Sequence, residues 1–471
     1  MEPLSPMTTP IAACLNAMTT DIGGQSLRSR VLRACNWTVG GHIAGQVLRL
    51  GTNLVMTRML VPEMFGILAL ANVIMFGLQM ISDLGLRQNI VQSQRGNDPA
   101  FLNTAWTIQI LRGVLLWLTT LSLSLGIHLL AQLHWWPAGS VYTESVLPYV
   151  IACLSFSVLL SGFESTKLAT AGRNLVLGRV TLIEFLSQIA ALASMLAWAS
   201  IDRSIWALVI GALVFNLLKM LLSHYAMPGE MNRLEWNKDA FREIFRFGKW
   251  VFLSSLIGFV AASGDRFLLG GLTDSATLGL YSIALLIYGA FRDLIVRLID
   301  NISLPVFSEV VHERQSELKA MYYRIRLPLD IVTLFVTGFF FSAGHLFIQA
   351  LYDDRYLAAG SMFEVLQLSL FEIRYTLVFQ CFLALGMPKL LIPVTLIRTA
   401  ALYGLIPLTY AHFGIEGVLW VICGSYFLTI PYLIAVKLKH GLFDLVNEIK
   451  VLPLLLCGYL VGQFTVGLIH L

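Results

Sequence analysis

The chain repeats itself at long range, and the repeat is apolar. With an offset of about 213 residues, Trp37 falls on Trp250, Gly45 on Gly258, Gly51 on Gly264 and Gly66 on Gly279. The run VTLI at Val180–Ile183 returns at Val394–Ile397. Solenoid units are much shorter, roughly 20–50 residues. In a membrane chain a repeat this long marks two structural halves facing each other across a pathway. The membrane itself is read from composition: 57% of the 471 residues are hydrophobic, only 13% are charged, and mean hydropathy is +0.75. A soluble domain carries about a quarter charged residues. Crossing a bilayer takes about 20 apolar residues per helix, and the chain holds at least a dozen such windows.

The expected fold is an all-α integral membrane protein. It comprises two six-helix lobes related by a pseudo-two-fold along the membrane normal, plus an additional C-terminal helix. The periodicity places spans near 36–58, 65–92, 101–130, 145–171, 178–200 and 204–226. The second set lies near 247–272, 276–302, 327–350, 357–386, 390–412 and 415–437, and a last apolar window is Val451–Ile469. The expected units are a disordered cytoplasmic tail at 1–32, an N-lobe at 33–227, a cytoplasmic linker at 228–245, a C-lobe at 246–440 and the extra helix in 441–471. The tail is polar and turn-rich, and its apolar patch near Ile11–Leu15 is too short for a signal-peptide core.

Lys and Arg set the orientation. With the N-terminus cytoplasmic, the inner segments carry Arg28, Arg30, Arg33, Arg87, Arg95, Lys167, Arg173, Arg179 and the basic linker, while the outer loop Ala131–Glu144 has neither residue. Trp135 and Trp136 of that loop suit an interfacial belt. The net charge of +4 is sorted by loop rather than gathered on one face, which excludes a nucleic-acid surface. The six cysteines show no metal-type spacing, and HExxH, Walker and GxSxG signatures are absent. No cofactor, metal or enzymatic activity is expected. The acidic pair Asp353–Asp354 lies in a short outer loop with no phosphate loop or metal partner nearby.

Ionisable groups at bilayer depth are costly and mark pathways. Arg49 sits mid-span with His42 and Gln46 on a similar helical face. Arg292, Asp293, Arg297 and Asp300 lie along helix eight, and the spacing keeps Arg292 and Arg297 near one face. Asp265 and Arg266 occupy helix seven, and either line the pathway or snorkel to the interface. Glu364, Glu372 and Arg374 lie on helix ten, where Arg374 either lines the cavity or pairs with a neighbouring helix. Asp83 and Arg87 stand four apart near the inner end of helix two, either as a structural ion pair or as a gate. Glu184 in helix five has Arg398 as its repeat mate. The expected cationic cavity residues are Arg49, Arg266, Arg292, Arg297 and Arg374, with Asp83, Arg87 and Asp265 as gating or ion-pair residues. An arginine fork binds two phosphate oxygens at once, so deep arginines point to an anionic substrate.

The junction RMLVPEMFGILALA (Arg58–Ala71), DLGL (Asp83–Leu86), GDRFLLGGLTDSATLGLYSIA (Gly264–Ala284), NISLPVF (Asn301–Phe307), YDDRYLAAGSMF (Tyr352–Phe363) and ALGMPK (Ala384–Lys389) stand in order along the chain. This series resembles the Wzx-type polysaccharide flippases of the multidrug/oligosaccharidyl-lipid/polysaccharide exporter superfamily, over roughly residues 33–440. The resemblance implies two lobes around a cationic cavity. It implies transfer of an undecaprenyl-pyrophosphate-linked oligosaccharide across the bacterial inner membrane, for exopolysaccharide, capsule or O-antigen synthesis. Its implied partners are that lipid-linked oligosaccharide, membrane lipids and the polysaccharide polymerase machinery. Related lipid II flippases carry cavity arginines in helices one, two and eight, which corresponds by position to Arg49, Arg87, Arg292 and Arg297. The alternative within the superfamily is a cation-coupled drug or metabolite antiporter, which requires acidic residues deep in the first lobe.

Overall fold

The computed structural model describes the backbone of residues 27–174 and 177–469, and the side chains of most of these from Gly40 onward. The tail at 1–26 and the side chains of Arg28, Arg30, Arg33, Trp37, His42, Trp250 and Asp300 lie outside the described residues. Within them the chain forms seventeen α-helices and no strand. The first half holds α1 (Leu27–Met59), α2 (Pro62–Ile81), α3 (Leu86–Gln92), α4 (Pro99–Gln132), α5 (Leu147–Gly162), α6 (Lys167–Arg173), α7 (Leu177–Ile201) and α8 (Trp206–Tyr225). The second half holds α9 (Lys238–Leu272), α10 (Ser275–Glu313), α11 (Leu318–Leu351), α12 (Ala358–Gln367), α13 (Ile373–Ala384), α14 (Ile392–Phe427) and α15 (Ile430–Lys439), followed by α16 (Leu445–Ile449) and α17 (Pro453–Ile469). Nine segments among the described residues are long and apolar enough to cross a membrane.

Several spans that read as continuous in sequence are broken. The stretch at 65–92 divides into α2 and α3 at Gly85, whose φ of 59° is left-handed. Asp83 accepts a bond from the Gly85 amide at 2.9 Å, which fixes the turn. The stretch at 145–171 divides into α5 and α6, bent by 59°. Both breaks are closed by one helix. From α4, Arg112 donates to the Gln79 carbonyl at 2.7 Å, and Gln109 donates to the carbonyls of Ser161, Gly162 and Glu164 at 3.0–3.1 Å. Helix ends leave carbonyls unpaired, and in an apolar medium side chains must satisfy them. The stretch at 357–386 breaks likewise, with a 3₁₀ segment at Leu368–Glu372 between α12 and α13. α14 kinks at Gly414 (φ 60°, ψ −149°), and this separates the two expected spans 390–412 and 415–437.

Packing repeats the internal duplication. The repeat mates α2 and α10 cross at their N-terminal ends with no room for side chains. A Cβ on Gly66 would stand 1.9 Å from the Ser275 carbonyl oxygen, and one on Gly279 would stand 1.9 Å from that of Pro62. These four residues are two repeat-related pairs, so each half presents the same surface to the other, as a two-fold contact requires.

Two clasps flank this crossing and share its duplication. In one, the Val141 amide donates to the Thr273 carbonyl at 3.2 Å and the Ser275 hydroxyl donates to Glu144 at 2.7 Å. In the other, the Tyr356 hydroxyl donates to the Leu60 carbonyl at 2.8 Å and Arg355 donates to the Thr57 carbonyl at 2.9 Å. Arg58 returns a bond to the Leu351 carbonyl at 3.1 Å. The YDDRY loop is therefore a lock between halves. Arg355 also hydrogen-bonds Asp353, holding that carboxyl below the usual carboxylate range.

The linker at 228–245 is not a free connector. The Arg233 amide donates to Asn103, the Glu235 amide donates to Thr107 and the Asn237 amide donates to Thr104, each within 3.1 Å. α9 begins at Lys238, so the linker's last residues are already helical. Ala240 and Ile244 pack with Leu86, Ile90, Phe101 and Ala169 of the first half. The C-terminal α17 lies along α11, where Gly338 and Gly458 let the backbones touch.

Candidate cationic cavity

Below the crossing of α2 and α10, the helices separate around a cavity of 560 Å³. α1 contributes Gln46, Arg49 and Asn53, and α2 contributes Phe65 and Asn72. α9 contributes Asp265 and Arg266, α10 contributes Tyr281, Tyr288, Arg292 and Asp293, and α14 contributes Arg398 and Tyr426. Spacing along α10 explains its share, because Tyr281, Tyr288 and Arg292 recur at helical intervals on one face.

Four arginines and two aspartates line this space. Arg292 lies 3.7 Å from Asp293, and Arg266 lies 4.0 Å from Asp265, both loose contacts. Asp265 instead accepts a short hydrogen bond from the Tyr281 hydroxyl. The Arg398 guanidinium stacks 3.7 Å from the Tyr426 ring centroid, a cation–π contact that holds the charge at the wall. Arg49 has no acidic partner within 4 Å among the described residues. The Tyr288 hydroxyl and Arg398 Nε are buried without a hydrogen-bond partner among the described residues. Unsatisfied donors and unpaired cations that converge on one space are an anion-binding arrangement.

The expected site residues divide. Arg49, Arg266, Arg292 and Asp265 come together here. Arg297 is exposed farther along α10 and does not line this cavity. Five residues advance a helix by more than a turn, which carries it off the Arg292 face. Arg374 is a correction. It is 3% exposed and bound to Asp330 at 3.0 Å, inside a cluster that also holds Arg326, Lys437 and Glu448. That cluster ties α11, α13, α15 and α16 together, away from the cavity. The Asp83–Arg87 pair is a second correction. The break at Gly85 puts Arg87 on a separate helix, and the partner of Asp83 is Arg112 of α4, 3.8 Å away. These residues line a separate 340 Å³ pocket within the first half.

Sequence reasoning missed Arg398 as a cavity residue, although its depth and its pairing with Glu184 in the repeat were visible. Nothing local pointed to Tyr288 or Tyr426, because tyrosines are common in apolar helices.

Solved structures share this architecture. The inward closed conformation of the lipid II flippase MurJ matches with a TM-score of 0.66 at 14% identity, covering 92% of this chain and 93% of that one. An inward-facing multidrug resistance MATE family transporter of the MOP superfamily matches with a TM-score of 0.58 at 14% identity, over 87% and 95%. The eukaryotic MATE transporter AtDTX14 matches with a TM-score of 0.52 at 11% identity, over 92% and 98%. At such identities the likeness establishes the fold alone. No curated protein matches the chain in sequence. The model of one family, described as polysaccharide biosynthesis protein, matches residues 55–360, and the chain belongs to that family.

Proposed function

We propose that this protein is a flippase that moves a polyprenyl-diphosphate-linked oligosaccharide across the bacterial inner membrane, for assembly of a surface polysaccharide. The observation that carries the reading is the cavity: four arginines around 560 Å³, closed on one face by the Gly66–Gly279 crossing. A lipid carrier can leave its chain in the bilayer while its diphosphate crosses among these cations. On this reading the Trp135 face is periplasmic and the N-terminus cytoplasmic, so the described state opens inward. Alternating access then moves two lobes, 33–227 and 246–440, about the α2–α10 contact. No covalent chemistry is required, and the polymerase machinery receives the cargo outside.

The antiporter alternative needs free acidic residues deep in the first half. There Asp83 is matched by Arg112, Glu164 lies 3.1 Å from Lys219, and Glu184 is exposed near the end of α7 that this reading makes cytoplasmic. The test is glycan analysis in a deletion strain, with and without the restored gene. The expected result is lipid-linked repeat unit held on the cytoplasmic face and loss of surface polymer. Normal polymer together with raised sensitivity to cationic dyes would sink the flippase reading.

A further inference from the structure

The repeat brings matching positions of both halves to the cavity and fills them with different chemistry. At the repeat offset, Asn53 of α1 corresponds to Arg266 of α9, and Asn72 of α2 corresponds to Leu285 of α10; all four line the cavity. A carboxamide thus stands in the first half where the second has a guanidinium or an apolar side chain. One pair runs the other way, with Arg49 matched by Ala262. Gln46 adds a third carboxamide to the first-half wall.

Helical register places these amides. Gln46, Arg49 and Asn53 are spaced three and four apart along α1, as are Phe65, Leu68 and Asn72 along α2, so each set shares one face. Asn72 is exposed where α2 lines the cavity and makes no hydrogen bond among the described residues. The Gln46 side-chain oxygen is also without a partner among them. Asn53 is held through its oxygen, which accepts from the Tyr352 hydroxyl at 2.8 Å, and its NH₂ is engaged by none of the described residues.

An amide both donates and accepts, as a sugar hydroxyl does, whereas a guanidinium only donates. The arginines therefore suit phosphate oxygens, and the amides suit a neutral group rich in hydroxyls. The diphosphate of a lipid-linked glycan joins two arms, a polyprenyl chain and a sugar. The polyprenyl arm offers an amide no partner, so the sugar arm is the one that matches.

We propose that Gln46, Asn53 and Asn72 form a subsite for the first sugar of the cargo, beside the arginines that take its diphosphate. The arginines hold the anion, and the amides select what is attached to it. Sugars beyond the first lie outside this subsite. The inference rests on the flippase reading for the diphosphate, and it adds a neutral group that the cavity recognises. A site built to hydrogen-bond hydroxyls rejects an analogue that lacks them.

The test is calorimetry on the full-length protein in nanodiscs. The probes are polyprenyl diphosphate diesters of equal charge, carrying N-acetylglucosamine, glucose, galactose or a methyl group. The wild type is expected to bind at least one sugar diester roughly tenfold or more tighter than the methyl diester. Asn72→Leu and Gln46→Met keep the side-chain shape without the amide. Each should lose most of that preference and keep the affinity for the methyl diester. A wild type that binds all the diesters equally overturns the sugar subsite and leaves the cargo reading standing. So does an unchanged preference in both variants, or an equal weakening of sugar and methyl diesters, because a general change of shape moves both. Failure of every probe to bind the wild type overturns the cargo reading and this inference with it. Should Asn72→Leu not fold, Gln46→Met decides by the same comparison.

Discussion

The two halves match where they touch and differ where they face the cavity. At the α2–α10 crossing, Gly66 meets Ser275 as Gly279 meets Pro62, with the same 1.9 Å approach on both sides. In the cavity the first half gives one charged residue, Arg49, together with amides such as Gln46, Asn53 and Asn72. The second half gives Asp265, Arg266, Arg292, Asp293 and Arg398. Backbone contact tolerates no drift, because both members of a two-fold pair must stay small. A side chain facing open space is bound by no such rule. The contact therefore keeps the duplication, and the cavity is where the two copies differ.

The largest effect is expected at the contact. Gly66→Leu and Gly279→Leu should each abolish surface polymer and lower the thermal midpoint of the detergent-purified protein, because overpacking costs about 1–3 kcal/mol even where neighbours can yield. Here the obstacles are backbone carbonyls. The two variants should be equally severe, and a mild effect in one alone would break the symmetry argument.

Next come the cavity arginines. Removing one partner of a desolvated charged contact costs about 2–5 kcal/mol, or roughly 30-fold and more in affinity. Arg292→Ala and Arg398→Ala should lose cargo binding on that scale, measured by titration of lipid-linked glycan. Arg49→Ala should lose less. An Arg49 variant as defective as the others would show that the first half shares the binding equally.

Asp330→Ala sharpens the contrast from outside the cavity. It leaves Arg326 and Arg374, both nearly inaccessible, to share Glu448 as their one acid, and breaking such a buried cluster costs about 3–5 kcal/mol. The expected result is a lower thermal midpoint, with unchanged affinity in the folded fraction. Lost affinity in well-folded protein would return Arg374 to the binding site.

The smallest effect belongs to the clasp. Arg355→Ala removes exposed bonds to the Thr57 and Arg58 carbonyls, worth about 1 kcal/mol. It should lower the thermal midpoint of the purified protein slightly without stopping transport. Asp353 carries a depressed pKa, so its contribution is present above the ordinary carboxylate range and is lost as pH falls through its folded-state value. The wild type should therefore lose this part of its thermal stability only in strong acid.

Much of the fold was legible, because each span is fixed by its own apolar run. The breaks were less so. Gly85 and Gly414 are visible as glycines, but a glycine in an apolar run serves close helix contact as readily as a bend, so neither is marked as a break by its residue type. The site was legible where depth alone marked a charge, as at Arg49 and Arg292. It was misread where a deep charge finds its partner far along the chain. Arg374 meets Asp330 and Glu448 across three helices, and Asp83 meets Arg112 across a helix break. Sequence spacing reports neighbours on one helix, whereas a buried ion pair is made between helices.

The cavity volume has a consequence for what may be carried. At 560 Å³ it is the size of an ordinary small-molecule site, about 300–1,000 Å³. A chain of several sugars does not fit inside it together with a diphosphate. On the proposed flippase reading, the protein grips the linkage common to every such cargo and leaves the glycan to trail into water. Selection by this cavity would read the anchor rather than the length of the polymer unit, and one carrier could serve a strain whose surface sugars change.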